Sequence, residues 1–195
     1  MRVFVLMLVV AVLVGFATGG RLDRIPEAGI RWTLLVPVAL VMQPIPLPRE
    51  WALTMLYASF ALLVVFAVRN VRLPGFPLIL LGALLNLTVI AVNAGMPVSA
   101  HAITVAGLRN DYQELLRDGE GAKHQLAGPG TRLNPLADVI GFPRPVMQVV
   151  SPGDLCIYSG AAWLIVAAMR GRSARRRQED QPTGPDRHRE ATVGE

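Results

Sequence analysis

Five apolar runs, joined by short polar stretches, set the pattern of the chain. Only one of them contains an acidic or basic side chain, the carboxylate of Asp154 near the start of the last run. About 20 apolar helical residues are needed to cross a hydrocarbon core roughly 30 Å thick. The pattern predicts an all-α, multi-pass membrane protein with about five transmembrane helices and an outer amphipathic helix. The predicted spans are residues 3–19, 32–47, 51–68, 73–94 and 152–169.

Two of these spans have alternatives. The first run ends in the small residues Ala17 and Gly19, as a cleaved signal peptide would, but the arginines that follow favour a retained helix. Run 32–47 reaches only about 24 Å as a helix and contains Pro37, which usually kinks a helix. It is therefore either a short kinked span or a re-entrant segment, and we predict a span.

The basic residues predict the orientation. They are frequent in the joint after the first run, in the joint at 69–72 and in the tail after residue 169, whereas the joint before the third run has Arg49 alone. Because cytoplasmic loops are enriched in Lys and Arg, five spans place these basic joints in the cytoplasm. The N-terminus and the long segment 95–151 then lie outside. Residues 1–170 form the membrane domain, and the polar tail 171–195 is predicted to be disordered.

The outer segment carries its own periodic pattern. Apolar residues recur at helical spacing over 103–118, with polar residues on the other faces, which predicts an amphipathic helix at the membrane surface. Asn134 and Pro135 resemble the N-cap and first residue of a short helix that runs to Ile140. Residues 141–150, which contain two prolines, are expected to be extended.

Composition changes this picture little. The chain is 52% hydrophobic and 17% charged, and its net charge of +5 comes from short joints and one tail. A basic patch interleaved with aromatic residues is missing, so we expect no nucleic-acid partner. Cys156, within an apolar run, is expected to pack as a small hydrophobe. The sequence holds no phosphate-binding loop, dinucleotide turn or zinc motif, and we predict neither a cofactor nor a metal.

Polar side chains within or beside the spans are the candidate site. Asn86 and Asn93 are seven residues apart and share a helix face, where they either bridge helices or bind a ligand. Asp154 follows Ser151 and a proline as in a capping box, so a capping role is favoured over catalysis. The outer segment adds three further candidates, which are His124, Arg132 and Asp138.

Several short motifs, in this order, resemble those of a known family. The chain is similar to a bacterial integral membrane family known only as domain of unknown function 5317. The resemblance covers about residues 1–170 and implies a multi-pass protein of the bacterial cell membrane, without an established activity. The motifs are GGRL at 19–22, LLNL at 84–87, NAGMPV at 93–98, TRL at 131–133, LADVI at 136–140 and SPGD at 151–154.

Two functions fit the sequence. The first is a non-enzymatic subunit, scaffold or assembly factor that contacts lipid, a membrane protein partner or a second copy of itself through the outer segment. The alternative is a small membrane enzyme or carrier for a lipid-like substrate, with Asn93, His124, Arg132 and Asp138 converging in one pocket. The two are distinguished by whether those side chains meet.

Overall fold

The computed structural model describes residues 2–43, 48–108 and 123–171, apart from the side chain of Arg49. Within these ranges the chain forms α1 (Arg2–Ala17), α2 (Leu35–Met42), α3 (Arg49–Arg69), α4 (Phe76–Asn93), β1 (Met96–Val98), α5 (Ala100–Val105), β2 (His124–Leu126), β3 (Ile140–Phe142), β4 (Gln148–Val150) and α6 (Pro152–Met169). Most of it is therefore helical, as predicted, but four short strands correct the all-α assignment.

Three helices are long and apolar enough to cross a membrane. They are Glu50–Arg69 within α3, all of α4 and all of α6, which agree with the third, fourth and fifth predicted spans. Helix α1 passes the same test only together with Leu22–Ala28, and the chain bends by 109° between the two. The described residues thus give three spans, or up to four, instead of the five expected.

The second predicted span differs most from the structure. Helix α2 has eight residues and is about 12 Å long, too short to cross a bilayer by itself. Its proline causes no kink, because Pro37 lies in the first turn, where a backbone N–H has no intrahelical partner. The end of this predicted span, residues 44–47, lies outside the described residues.

Helices α4 and α6 pack against each other in antiparallel orientation through pairs of glycines. Gly75 lies against Gly160, and Gly82 against Gly153, so that a Cβ atom at any of the four would contact backbone or side-chain atoms of the other helix. This close backbone approach is the usual role of small residues between membrane helices. We call this contact the glycine seam.

Helix α1 runs parallel to α6 and packs on its other side. Phe4 and Tyr158 stack with ring centroids 5.2 Å apart. At the far end, Gly15 and Gly20 lie against Met169, whose carbonyl oxygen accepts a hydrogen bond of 2.8 Å from the Arg21 amide. The first apolar run is therefore a packed helix of this fold.

The basic joints meet at one end of the helices, which we call the basic end. The loop after α1 is joined there to the turn after α3, since the Arg31 amide donates to the Asn70 side chain at 2.8 Å and that side chain donates back to the Arg31 carbonyl at 2.9 Å. The Arg69 guanidinium lies 4.6 Å from the ring centre of Trp32. The C-terminus of α6 joins them through Met169.

The described residues of 94–151, called here the interhelix segment, lie at the opposite end. Strand β1 pairs with β2 in parallel, with Met96 opposite His124, and β3 pairs with β4 in antiparallel orientation. The expected extended backbone of 141–150 is therefore confirmed as a β-hairpin. The segment also contacts the start of α1, where the Val3 amide donates to the Gln148 side chain at 3.1 Å.

Two helices predicted in this segment need correction. The helix expected at 103–118 instead begins at Ala100, capped by Ser99, and ends at Val105. Gly107, with a φ of 69°, prevents a regular continuation, and residues 109–118 lie outside the described part. The short helix expected to reach Ile140 is one 3₁₀ turn, Asn134–Leu136, because the backbone becomes extended at Ala137.

Candidate functional site

A network of three polar side chains joins α4 to the start of α6. The Asn86 amide donates to one Asp154 carboxylate oxygen at 2.8 Å, and the Ser151 hydroxyl donates to the Asn86 carbonyl at 2.8 Å. The other Asp154 oxygen accepts from the Ser151 amide at 3.1 Å, and the Ser151 hydroxyl accepts from the Asp154 amide at 2.9 Å. The predicted capping box is confirmed, and Asn86 closes it from the neighbouring helix.

A cavity of about 680 Å³ lies beside this network, on the side of α4 that faces α2 and α3. Its walls are mainly apolar and its polar groups come from α4, α6 and the interhelix segment. In the described part of the chain it is lined by Pro37, Leu40, Val41, Gln43, Leu56, Phe60, Asn86, Ile90, Met96, Lys123, His124, Asp138 and Asp154. Four of the six predicted site residues therefore line one space.

Asp138 is the unusual residue of this cavity. Its side chain is only 8% exposed. Its backbone is fixed against β1, since its amide donates to the Pro97 carbonyl at 3.0 Å and its carbonyl accepts from the Ser99 amide at 2.9 Å. Its carboxyl group accepts no hydrogen bond from any residue of the described ranges. Burial, and then the nearby charge of Asp154, raise the pKa of Asp138 well above its usual value.

Two residues across the cavity, His124 on β2 and Lys123 beside it, have a lowered pKa, in contrast to Asp138. The His124 side chain is exposed at the cavity, and protein atoms closely surround its ring. Burial is the main cause that lowers the pKa of His124, against a weaker opposing effect of Asp154. The Lys123 ammonium donates to the Gln43 carbonyl at the end of α2, and burial lowers its pKa.

The other two predicted site residues lie elsewhere. The Asn93 amide donates to the Arg132 carbonyl at 2.9 Å and to the Val89 carbonyl at 2.9 Å, while its oxygen accepts from the Arg132 amide at 2.8 Å. Asn93 thus holds the turn around Gly130 against the end of α4, beside a separate open depression of about 600 Å³. The expected convergence of Asn93 and Arg132 with His124 and Asp138 is wrong.

Sequence reasoning missed several residues that line the cavity. Pro37, Leu40 and Val41 form a wall because they recur at helical spacing on one face of α2. Lys123 and Gln43 stood out by no motif. The lone Cys156 is partly buried in α6. Among the described residues no three His, Cys, Asp or Glu side chains lie close enough to hold a metal ion.

The apolar helices form a bundle with a mainly apolar cavity, and the described interhelix segment lies at one end of it. These features define a class of helical proteins with the length and composition to span a membrane. Comparison with known families makes this more specific. The model of the family of unknown function DUF5317 matches residues 27–166. The chain therefore belongs to this family, as its short motifs indicated.

A relative from Thermotoga maritima supports the assignment. It is 27% identical over 154 residues, which cover 77% of this chain and 83% of the relative, and it is described only as an uncharacterized protein. No solved structure matches the chain.

Proposed function

We propose that this protein binds one amphipathic, lipid-like molecule in the cavity between α2, α3 and α4. The observation that carries the proposal is a cavity with apolar side walls and a polar end. Leu40, Leu56 and Phe60 provide apolar surface for an alkyl chain, and His124 and Asp138 provide polar groups for a head. Its volume of about 680 Å³ falls in the range of roughly 300–1,000 Å³ typical of ligand sites, which are mostly apolar with a few polar groups.

The position of the cavity along the bundle supports a ligand that comes from the membrane. Its lining in α3 and α4 lies in the half of each helix nearer to the interhelix segment, at Leu56 and Ile90. The outward surface of α2 is apolar, and Val41 is 64% exposed. An amphiphile bound there has its head at the level of the interhelix segment and its tail among apolar helices, as it has in a leaflet.

The proposed topology keeps five crossings, with residues 32–47 as the second. Arg31 is fixed to Asn70 at the basic end, whereas α3 begins at the opposite end. From Arg31 the described chain runs along α3 as far as Gln43, whose side chain is hydrogen-bonded at 3.4 Å to Ser59 midway along that helix. The gathering of basic joints at one end supports placing that end, with the C-terminus, in the cytoplasm of a bacterial cell.

Labelling of single cysteines tests the topology in cells that express the full chain with Cys156→Ala. We expect a membrane-impermeant maleimide to label Leu133→Cys, in the interhelix segment, from outside. Leu22→Cys, at the basic end, should react only after the membrane is opened. Labelling of both positions from the same side would contradict the arrangement.

Occupancy of the cavity is tested by native mass spectrometry of the full chain, released from membranes in a mild non-ionic detergent. We expect about one bound amphiphile per chain. Val41→Trp should displace it, because this side chain lines the cavity, whereas Val38→Trp is the matched control on another face of α2. Val38 is 51% exposed and absent from the lining. Equal occupancy in the two variants, or no bound amphiphile in either, would exclude the proposed site.

A second candidate is the subunit, scaffold or assembly function. It is favoured by the firm attachment of an exposed turn, since Asn93 makes two hydrogen bonds to Arg132. Such a turn offers a partner protein a fixed shape. Replacement of the exposed Leu133 by Asp, followed by purification from native membranes, tests this: loss of a stoichiometric partner supports it, and an unchanged set of co-purified proteins contradicts it.

A further inference from the structure

The polar groups of the cavity differ in whether they already have hydrogen-bond partners. This difference indicates which chemical group the ligand must supply. Asp154 is satisfied, because its two oxygens accept from Asn86 and from the Ser151 amide. Asp138 is buried against the same space and accepts no hydrogen bond within the described residues. A buried polar group without a hydrogen-bond partner destabilises the protein, and a charged one does so more strongly. A ligand that satisfies Asp138 removes this destabilisation on binding.

Resting on the proposed function, we infer that the ligand of this cavity is an amphiphile with a protonated amine head, and that Asp138 is the carboxylate that pairs with it. An anionic head would be repelled by the charge of Asp154, and by Asp138 once that group ionises. A neutral head would leave the negative potential of Asp154 uncompensated. An ammonium group satisfies Asp138 with a charge-assisted hydrogen bond, which is about twice as strong as a neutral one.

The groups around Asp138 define how binding depends on pH. Asp154 and Tyr158 face it from α6, and His124 and Lys123 from β2, whereas the cavity lining of α2, α3 and α4 contributes no ionisable side chain. Because burial and the charge of Asp154 raise the pKa of Asp138, the carboxyl group of the empty cavity holds a proton above its ordinary range. An ammonium head must displace this proton, so that amine binding releases about one proton into the solvent.

The direction in which amine affinity changes with pH follows from this release of a proton. Protons and the amine compete for one carboxylate, so the affinity rises with pH, by about tenfold per unit, until Asp138 ionises in the empty protein. An alkylamine has a pKa near that of lysine, about 10.4, and stays charged throughout this range. His124 also titrates, with a pKa that burial lowers, and His124→Gln controls for its charge.

The test is calorimetric titration of the full chain in non-ionic detergent with three probes that share a dodecyl tail: dodecylamine, dodecanol and dodecyl phosphate. At pH 8 we expect dodecylamine to bind about tenfold to a hundredfold more tightly than the other two, the range expected for hydrogen bonds to charged groups. Titrations in two buffers of different ionisation enthalpy should show proton release on amine binding at acidic pH, which declines as the pH rises and Asp138 ionises in the empty protein, and no proton release for dodecanol.

Asp138→Asn should reduce amine affinity to the level of dodecanol and abolish the pH slope. His124→Gln should keep the slope. Tighter binding of dodecanol or the phosphate, or amine binding without proton release at acidic pH by the unaltered protein, would overturn the assignment to an amine and leave the cavity as a lipid site. If none of the three probes binds the unaltered protein more tightly than it binds the Val41→Trp variant, the proposed function itself is excluded.

Discussion

The two faces of α4 differ sharply in packing. Towards α6, Gly75 and Gly82 allow the two backbones to touch, and a Cβ at Gly160 would lie 2.6 Å from the Gly75 carbonyl oxygen. Towards α2 and α3, the same helix borders a cavity of about 680 Å³. One face of α4 therefore makes a contact too close for any added atom, whereas its other face borders a space large enough for a ligand.

The difference shows how a small membrane protein can keep a cavity. The residues that line an empty cavity lose packing contacts, so the bundle needs close packing elsewhere. The glycine seam is this contact, and it ends at Asn86, Ser151 and Asp154, beside the cavity. The polar end of the cavity is therefore built on the least deformable part of the fold.

The largest effect should come from adding volume to the seam. Gly160→Leu forces the α4 and α6 backbones apart, because both Gly75 and Ile79 lie within 3 Å of the new Cβ. We expect a loss of about 3 kcal/mol or more, at or above the usual range for overpacking. Unfolding of the detergent-solubilised protein by increasing SDS measures it. Val41→Trp also adds a large side chain, but on the cavity side at an exposed position, and should cost less than about 1 kcal/mol. Similar losses for the two variants would contradict the comparison.

The next effect tests where the two faces meet. Asn86→Ala leaves the Ser151 hydroxyl and one Asp154 oxygen without their partner, and unsatisfied buried groups cost about 1–3 kcal/mol. Thr88→Ala is the control on the same helix, because its exposed hydroxyl donates only to the Leu84 carbonyl. The same SDS titration should separate the variants by about 1 kcal/mol or more. Equal stability would mean that the network does not join the helices.

A pH effect should follow from Asp138. Since its pKa is raised in the folded protein, the folded state holds a proton that the unfolded chain releases near pH 4. Its contribution to stability is complete below that pH and is lost as the pH rises through the folded pKa. Asp138→Asn removes this loss, so its melting temperature, followed by circular dichroism from pH 4 to 8, should gain on that of the unaltered protein as the pH rises.

The comparison of the two proteins at each pH is needed because His124 acts in the opposite direction. Its lowered pKa makes the folded state less stable in acid, and this effect is common to both proteins. A constant difference in melting temperature across the pH range would show that Asp138 keeps an ordinary pKa.

The smallest effect is expected on the cavity wall. Leu40 is 42% exposed, and Leu40→Ala enlarges a space that already exists, so we expect a loss below about 1 kcal/mol. Leu73→Ala is the matched control in a packed cluster with Phe66 and Phe76, where buried Leu→Ala changes cost about 2–5 kcal/mol. A loss at Leu40 as large as at Leu73 would show that this wall is tightly packed.

Much of the fold was predictable where one local rule dominated. The apolar runs predicted α3, α4 and α6, and the SPGD motif predicted the capping box, because hydropathy and capping depend on residues close in sequence. The start of the helix expected at 103–118 differs from the prediction. Its apolar spacing is helical, but the described helix begins at Ala100 and ends at Val105, and Gly107 follows it with a positive φ.

Only part of the candidate site could be predicted from the sequence. Asn86, His124, Asp138 and Asp154 were chosen for polarity near apolar runs, and they do line one cavity. Asn93 and Arg132 were chosen in the same way, yet they join each other at another place. Which polar residues meet is decided by the parallel pairing of β1 with β2, a contact between distant residues that no local pattern encodes.

The packing of α1 against α6 has a consequence for the order of synthesis. Among the described elements α1 packs chiefly against α6, so α1 has to wait for a helix that is made much later. At translation rates of about 5–20 residues per second, the stretch from Ala17 to Pro152 takes roughly 7 to 30 seconds to make. During that time the surface with Gly15 lacks its partner helix. The contact between α1 and α6 forms only after α6 has been made.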